Sequence, residues 1–305
     1  MGHEMSTPSD EHIPVLAQTL LEQISLPANA VMVDATVGYG GHSLLFGRNL
    51  GAQATILGLD VDEECVEKAG KNLSGLTCKV VLVRENFAKM EQIIAENGLK
   101  NADFVLADLG FCSGQMSNVE RGLSFQKNMP LDMRLDSRLK TTAADIINRM
   151  AEKDLADLIF RFGQDRASRR IARFIVHHRK TAPITMTEQL AAIVCRALGQ
   201  PAMGRRSKIH PATRTFQALR IAVNNELENI ETFLEAAPRV LAPNGKIAVI
   251  SFHSLEDKLV KENFKKNQLS GIYKILTKRP LTATDDEISQ NPRARSAKLR
   301  IAQKT

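Results

Sequence analysis

The chain has 305 residues, of which 43% are hydrophobic and 25% are charged, and its formal net charge is +7. This is an ordinary globular composition, and no apolar run approaches the ~20 residues that a membrane span needs. Residues 1–11 are polar and carry acids, which argues against a secretory signal and favours a cytoplasmic protein. The four cysteines are scattered, as in a reducing cytosol, and we expect no metal site.

Predicted helices and strands alternate in the first third of the chain. The segments are a helix at 13–24, strands near 31–34, 54–60, 78–83 and 103–108, and helices near 43–50, 62–73 and 88–97. This alternation predicts a parallel sheet covered by helices on both faces, which is the doubly wound, Rossmann-like α/β fold. In that fold a ligand lies beyond the carboxyl ends of the strands.

A glycine-rich turn follows Asp34, the last residue of the first predicted strand. Gly38 and Gly40 can take positive φ and have no Cβ to block a ligand, which suits nucleotide binding. Ser43 replaces the third glycine of the dinucleotide fingerprint, and no P-loop motif is present. The remaining pattern resembles the first motif of S-adenosylmethionine (SAM) methyltransferases, in which Asp34 would draw in the ammonium of SAM, directly or through water. The alternative interpretation is an ordinary tight turn.

Two further acids end predicted strands. Asp60 lies about 20 residues past the glycines, where an acid holds ribose hydroxyls, while capping of the next helix is favoured for Asp62. Asp108 begins an acid-Leu-Gly-aromatic turn similar to that of amino-group methyltransferases. A carboxylate that accepts the N–H of an exocyclic amine returns electron density to nitrogen, and Phe111 would stack on a flipped base. The alternative is that Asp108 only caps the turn and Phe111 is a core residue.

The pattern becomes helical between about 120 and 215, which predicts an all-helical insertion. Its helices are expected near 143–150, 152–162, 167–178 and 187–197. Strand-like sequence returns at 245–252 after a Pro-Asn-Gly turn, and segments at 273–278 and 297–302 would close the sheet with one antiparallel member. Basic stretches at 166–180, 205–210 and 293–300 favour contact with RNA or DNA over a merely solvated face.

Long motifs spread over nearly the whole chain resemble those of the bacterial RsmH (MraW) family, methyltransferases that modify cytosine N4 in small-subunit ribosomal RNA. The motifs are Asp34–Ser43, Asp108–Gly110 with Ser113 and Gln115, Arg121–Phe125, Pro130–Arg134, His210–Arg220, Ser251–Asp257 and Asn291–Ser296. The resemblance implies a SAM-binding domain at 1–115 and 216–305, interrupted by a helical substrate-recognition domain at 116–215. The cofactor residues that it implies are Gly40, Gly41, His42, Asp60, Phe87, Asp108 and Gln115. Asp34 and Gly38, which come from the turn pattern described above, complete the predicted cofactor set.

The resemblance also implies the reaction, which is methyl transfer from SAM to N4 of a cytidine in the decoding region of 16S ribosomal RNA. Asp108 or the Leu109 carbonyl would polarise the amine, and our hypothesis is that Ser251 and His253 line the cytosine pocket. A hydrolase interpretation of Ser251 and His253 is weak because no G-x-S-x-G elbow is present, and Ser254 is expected to cap the next helix. The basic residues expected to hold RNA phosphates are Arg205, Arg206, Lys208 and Arg214.

Several alternatives stay open at this point. The acceptor of the methyl group could be another amine, such as DNA adenine or a protein, or the chain could be a non-enzymatic RNA-binding assembly factor. The substrate could be naked RNA or an assembled small subunit, and the protein could be a homodimer. The loop after Asp108 departs from the family, since Cys112 replaces a serine, Gly114 a proline and Ser117 an acid. These changes bear on the geometry of the loop more than on the reaction.

Overall fold

The computed structural model describes residues 14–112, 121–124, 127–200 and 210–305. The chain forms two compact units. The first unit comprises residues 1–112 and 230–305, and the second comprises residues 113–229. In the part of the chain that the structure describes, no helix is both long and apolar enough to cross a membrane.

The first part of the chain alternates helices and strands as predicted. Its elements are α1 (Ala17–Gln23), β1 (Val31–Asp34), α2 (Gly41–Gly47), β2 (Thr55–Asp60), α3 (Glu63–Leu73), β3 (Lys79–Arg84), a 3-10 turn (Phe87–Lys89), α4 (Met90–Glu96) and β4 (Ala102–Asp108). Helix α3 illustrates why these segments fold locally. Asp62 caps its first turn by accepting from the Glu64 N–H, and Cys65, Ala69 and Leu73 form a buried stripe at helical spacing.

The second unit is built from helices in its described residues. They are α5 (Ala143–Arg149), α6 (Glu152–Gly163), α7 (Ser168–Arg179), α8 (Thr187–Leu198) and α9 (Thr213–Asn224). Apolar side chains of these helices form one buried cluster, whose fully buried members include Leu155, Ile159, Ile171, Ile175, Leu190, Val194 and Leu219. The unit extends past the predicted boundary at residue 215 because α9 packs within this cluster rather than with the sheet.

The chain then returns to the first unit and completes the sheet. The remaining elements are α10 (Glu226–Val240), β5 (Leu241–Ser251), α11 (Ser254–Leu269), β6 (Tyr273–Ile275), α12 (Asp285–Gln290), a 3-10 turn (Pro292–Ser296) and β7 (Lys298–Lys304). The sheet has seven strands in the order β3-β2-β1-β4-β5-β7-β6. β7 runs antiparallel to both of its neighbours, and the other described pairs are parallel. The predicted fold, including its one antiparallel member, is therefore confirmed.

The strand order places a crevice at the carboxyl edge of the sheet. From β1 the chain moves outward to β2 and β3, and it then crosses back to β4 on the other side of β1. This reversal between β1 and β4 is the topological switch point at which open α/β sheets bind ligands. Asp34 and Asp108 end the two strands that flank it, and Asp60 ends the next strand.

The Pro-Asn-Gly segment forms an irregularity inside β5 rather than a turn before it. Pairing with β4 jumps from Leu241 to Lys246, so the residues between them form a bulge. Gly245 lies in this bulge, close to the backbone of the neighbouring strand β4. A Cβ added there would lie 2.8 Å from the Ala242 carbonyl oxygen and 2.9 Å from that of Ala102. Because both contacts are with backbone, only glycine fits without moving a strand.

We expect Gly245→Ala to destabilise the sheet by about 2 kcal/mol, the usual cost of forcing an extra carbon into a packed interior. Gly75→Ala is the matched control, since a Cβ there meets nothing within 4 Å. Hydrogen exchange of peptides from β4 and β5, measured across a urea titration, would report the loss. Equal exchange in the two variants would contradict the prediction.

Candidate active site

Three carboxylates, of which Asp34 is buried and the other two are half-buried, lie at the carboxyl edge of the sheet. Asp34, Asp60 and Asp108 end the adjacent strands β1, β2 and β4. Burial raises the pKa of each of these groups, and it raises the pKa of Asp60 to about 7. The negative charge of Asp34 adds to the rise at the other two. Such a cluster favours a ligand that brings positive charge or hydrogen-bond donors.

The glycine turn is bound directly to the end of β2. The Gly38 N–H donates to Asp60 Oδ2 at 3.0 Å, and the Val37 N–H donates to the Leu59 carbonyl at 2.8 Å. Gly40 has a φ of 84° and a Cβ there would lie 3.1 Å from Leu73, so the turn requires glycine. α2 begins right after it at Gly41, two residues earlier than predicted. As in any α-helix, the first N–H groups of α2 have no acceptor within the helix.

Asp34 braces this turn instead of presenting a free carboxylate. Asp34 is 1% exposed. Its Oδ2 accepts a hydrogen bond from the Ser43 hydroxyl at 2.7 Å, and its Oδ1 accepts one from the Thr36 N–H at 3.3 Å. Both carboxylate oxygens are engaged inside the protein, which favours contact with the ammonium of SAM through water over the direct contact, and the role of Asp34 at the cofactor stays a prediction. Thr36 and Ser43 were missed as site residues, although a hydroxyl next to a buried acid is a readable signal.

His42 connects the turn to Asp108. Its Nε2 lies 2.9 Å from the Val15 carbonyl oxygen, and a carbonyl only accepts, so Nε2 carries the proton. Nδ1 then faces Asp108 Oδ2 at 3.8 Å. The imidazole partly offsets the effect of burial on Asp34 and Asp108, whose pKa values it lowers. His42 thus tethers the residues before α1 to the turn and sits between two acids.

Asp108 is the most accessible polar group of the Asp-Leu-Gly turn. Its N–H donates to Thr36 Oγ1 at 2.7 Å, and its Oδ1 accepts from the Gly110 N–H at 3.0 Å, so it does cap the turn. The side chain remains 19% exposed, and Oδ2 makes the approach to His42. A Cβ on Gly110 would lie 2.7 Å from the ring of Phe252, so glycine is required for that ring to lie against the turn. Sequence reasoning missed Phe252.

Ser251 and His253 lie at the end of β5, beside Asp108. Ser251 is buried, and its hydroxyl donates to the Lys298 carbonyl at 3.4 Å. The prediction that Ser254 caps the next helix was wrong, because His253 Nδ1 accepts from the Glu256 N–H and Ser254 is already helical. His253 Nε2 lies 3.1 Å from Glu256 Oε1 without hydrogen-bond alignment. Glu256 is buried and accepts from the Phe252 N–H at 2.7 Å, and it was also missed.

The other predicted site residues are spread over both units. Phe87 opens the 3-10 turn after β3, is half-buried, and packs edge-on against Phe233 with ring centroids 5.6 Å apart. Phe111 is half-buried. Arg214 is exposed on α9 of the second unit and donates to the Gln164 carbonyl at 3.3 Å. Gln115, Arg205, Arg206 and Lys208 lie outside the described residues.

Comparison with known proteins decides the family. The MraW methylase family model matches residues 9–305. The chain belongs to the MraW methylase family. It is similar to "Ribosomal RNA small subunit methyltransferase H" of Acidobacterium capsulatum, with 45% identity over 97% of this chain and 99% of the relative. The relative of that name from Trichormus variabilis is 46% identical, covering 96% and 92%, and that from Sorangium cellulosum is 44% identical, covering 97% and 91%.

Membership of this methylase family implies SAM as the methyl donor, and the described residues fit that molecule. SAM combines a nucleoside with a positively charged sulfonium and an amino-acid end. The positive φ of Gly40 and the packing of Pro14, 2.8 Å from where a Cβ on Gly41 would lie, keep this turn tight, and the Gly38 N–H of the same turn holds Asp60. The carboxylate cluster supplies negative charge for the sulfonium, and Asp60 stands where the ribose hydroxyls are expected.

The raised pKa of Asp60 predicts pH-dependent nucleoside binding. At the predicted ribose position, the ionised carboxylate would accept hydrogen bonds from two hydroxyls, and this form is lost as the pH falls through about 7. The affinity should therefore fall roughly tenfold between about pH 8 and about pH 6. We would measure it by calorimetry with 5′-methylthioadenosine, which has the ribose and adenine of SAM but neither its amino group nor its carboxyl group.

Asp60→Asn should weaken this binding at the higher pH and remove its pH dependence, because the amide does not titrate. Glu67→Gln is the matched control, since Glu67 is exposed on α3 and does not contribute to the pKa shift of Asp60, so its pH profile should follow the wild type. A flat wild-type profile, or the same slope in Asp60→Asn, would count against a role for Asp60 at the ribose.

Proposed function

We propose that this protein transfers the methyl group of SAM to the exocyclic N4 of a cytidine in the decoding region of small-subunit (16S) ribosomal RNA, in the cytoplasm. The observation that carries the proposal is the Asp108 carboxylate, which stays partly exposed one strand away from the glycine turn. The names of the relatives favour small-subunit ribosomal RNA as the substrate. The acid-Leu-Gly turn favours an amine as the acceptor.

Residues of the first unit would hold the cofactor. We assign the ribose to Asp60, the amino-acid end to the N–H groups of Gly41 and His42, and one face of the adenine to Phe87. Asp34 acts through Ser43 and Thr36 by fixing the turn, so it is a positioning residue. Bound SAM supplies an activated methyl group, and no metal is needed for its transfer. Gln115 remains a predicted cofactor residue.

The chain's own part in the chemistry centres on Asp108. An exocyclic amine is a poor nucleophile because its lone pair is delocalised into the ring. An ionised Asp108 that accepts one N–H bond returns electron density to that nitrogen. Burial raises the pKa of Asp108, while the imidazole of His42 opposes the rise and favours the ionised form. Ser251 and His253 are proposed to line the pocket beside it, and the ring of Phe252 closes one side of the turn.

The test is a transfer assay with undermethylated small ribosomal subunits and methyl-labelled SAM, followed by mass spectrometry of the digested nucleosides. We expect the label in N4-methylcytidine. Asp108→Asn should lower turnover at saturating SAM roughly 10²- to 10³-fold, because one charged acceptor of the reacting amine is lost. Ser251→Ala and His253→Ala should also lower turnover with SAM affinity nearly intact.

Each other outcome of the assay has a defined meaning. Label in another nucleoside or in a protein would move the activity to a different amine acceptor. SAM binding without any transfer, to naked RNA or to subunits, would contradict the proposed substrate. Absence of SAM binding would favour a non-enzymatic assembly factor. Wild-type turnover in both pocket variants would remove Ser251 and His253 from the site.

We propose that the second unit holds RNA phosphates on the exposed face of α7. Arg169 and Arg170 lie exposed in the first turn of that helix, and its first turn carries no acid. Cations at a helix N-terminus are unfavourable to the helix dipole, so this placement costs stability and suggests selection for another purpose. Arg214 of α9 is exposed in the same unit. Arg205, Arg206 and Lys208 remain predicted RNA contacts.

Charge reversal at Arg169 and Arg170 to Glu should weaken RNA binding and lower the salt slope by about 2, one for each lost phosphate contact. The helix itself should become slightly more stable, since acids suit its first turn. Lys261→Glu with Lys265→Glu is the control, because both lysines are exposed on α11 of the first unit. Filter binding of small-subunit RNA over a salt series measures both quantities, and equal slopes in the two double variants would refute the assignment.

A further inference from the structure

Two buried thiols touch each other at the edge of the candidate cofactor site. Cys65 lies in the first turn of α3, and Cys112 follows the Asp-Leu-Gly turn after β4. Both residues carry thiols, and their sulfurs are 3.0 Å apart. A disulfide bond is ~2.05 Å long, so the sulfurs need to move together by only about 1 Å. The two thiols occupy the same unit of the structure.

The cysteine pair lies beside the two residues that hold the carboxylate of Asp60. Asp60 Oδ1 accepts from the Asp62 N–H at 2.9 Å, and Asp60 Oδ2 accepts from the Gly38 N–H at 3.0 Å. Asp62 Oδ2 in turn lies 3.6 Å from Cys65 Sγ. Gly38 faces Cys112, since a Cβ on that glycine would lie 3.6 Å from the Cβ of Cys112. A movement of either sulfur is therefore passed to Asp60 from both sides.

We propose that Cys65 and Cys112 form an oxidative modification site that takes hydroperoxides and lowers the affinity of the neighbouring site for SAM. The peroxide oxidises the Cys112 thiol to a sulfenic acid, and its O–O bond breaks with release of water or an alcohol. The Cys65 sulfur then attacks the sulfenic sulfur, which forms the S–S bond and releases a water molecule. The two thiols are oxidised and the peroxide is reduced, so the electrons balance.

The order of these steps follows from the surroundings of the two sulfurs. Cys112 is 8% exposed and Cys65 is fully buried, so a small oxidant reaches Cys112 first. The hydrogen bond to Cys112 and burial raise the pKa of the Cys65 thiol well above its usual range. Cys65 is therefore a weak nucleophile toward a peroxide, and its 3.0 Å contact with the Cys112 sulfur places it to attack once Cys112 is oxidised. The other cysteines, Cys78 and Cys195, lie before β3 and in α8.

Closure of the disulfide should weaken cofactor binding. The shorter S–S distance draws the segment after β4 toward α3 and shifts Gly38 and Asp62, which fix the Asp60 carboxylate. This consequence rests on the proposed cofactor, whereas formation of the disulfide does not. We expect the oxidised protein to bind SAM at least tenfold more weakly, with full recovery after treatment with a thiol reductant. Bound SAM should in turn slow the oxidation, because it stabilises the arrangement of Asp60 that the disulfide disturbs.

The experiment treats the full-length protein with hydrogen peroxide, with a metal chelator present so that loss of thiols cannot reflect a bound metal. Remaining thiols are alkylated, and peptide mass mapping locates the disulfide. SAM affinity is measured by calorimetry before oxidation, after oxidation and after reduction. We expect a Cys65–Cys112 linked peptide together with the reversible loss of affinity.

Four variants separate this site from general oxidative damage. Cys112→Ser should keep its SAM affinity under peroxide, as should Cys65→Ala. Cys78→Ser and Cys195→Ser are matched controls that should respond as the wild type does. Absence of the linked peptide, or a disulfide that leaves SAM affinity unchanged, would overturn the proposal. If the reduced wild type fails to bind SAM, the cofactor assignment fails, and the peptide map still decides whether the thiols are joined.

Discussion

Burial of negative charge at the carboxyl edge of the sheet is the constraint on which the site depends. Parallel strands β1, β2 and β4 end side by side in acids, so the fold concentrates three carboxylates in a partly desolvated crevice. Each of them has a raised pKa because burial disfavours its ionised form. The surrounding residues offset this cost with hydrogen-bond donors, since each carboxylate accepts from a backbone N–H and Asp34 also accepts from the Ser43 hydroxyl.

Those donors also give the site its shape. The N–H group of Gly38 cannot reach Asp60 unless the turn adopts its tight conformation, so the same hydrogen bond stabilises the acid and holds the cofactor turn closed. Thr36 accepts from the Asp108 N–H and donates its own N–H to Asp34, which ties β1 to β4 across the switch point. The acids thus order the loops around them, and the ordered loops form the surface offered to a nucleoside.

The sequence predicted the parts of this arrangement that are local. Apolar runs that end in Asp34, Asp60 and Asp108 mark strand ends, and the spacing of Gly38 and Gly40 marks the turn. Phe252, Glu256 and the Cys65–Cys112 contact could not be predicted, because they depend on which chain segments the fold brings together. The cap of α11 was misassigned to Ser254 because serine is the commoner cap, whereas a capping box between His253 and Glu256 decides the helix start. The boundary between the two units lies beyond α9 instead of at residue 215 as predicted, because the apolar face of α9 packs with other helices of the second unit.

A site of this kind lowers the stability of the empty protein and raises its affinity for a positively charged ligand. Three neighbouring carboxylates repel one another when they are ionised, which destabilises the empty crevice. A ligand that carries a sulfonium and an ammonium relieves this repulsion, so part of the binding free energy comes from the protein itself. The same reasoning explains why Asp60 is the sensitive point. Among the described residues, two backbone N–H groups donate to its carboxylate, and burial raises its pKa to about 7, close to neutral pH. Protonation, loss of a donor or a shift of either flanking loop would each act on cofactor affinity through that one group.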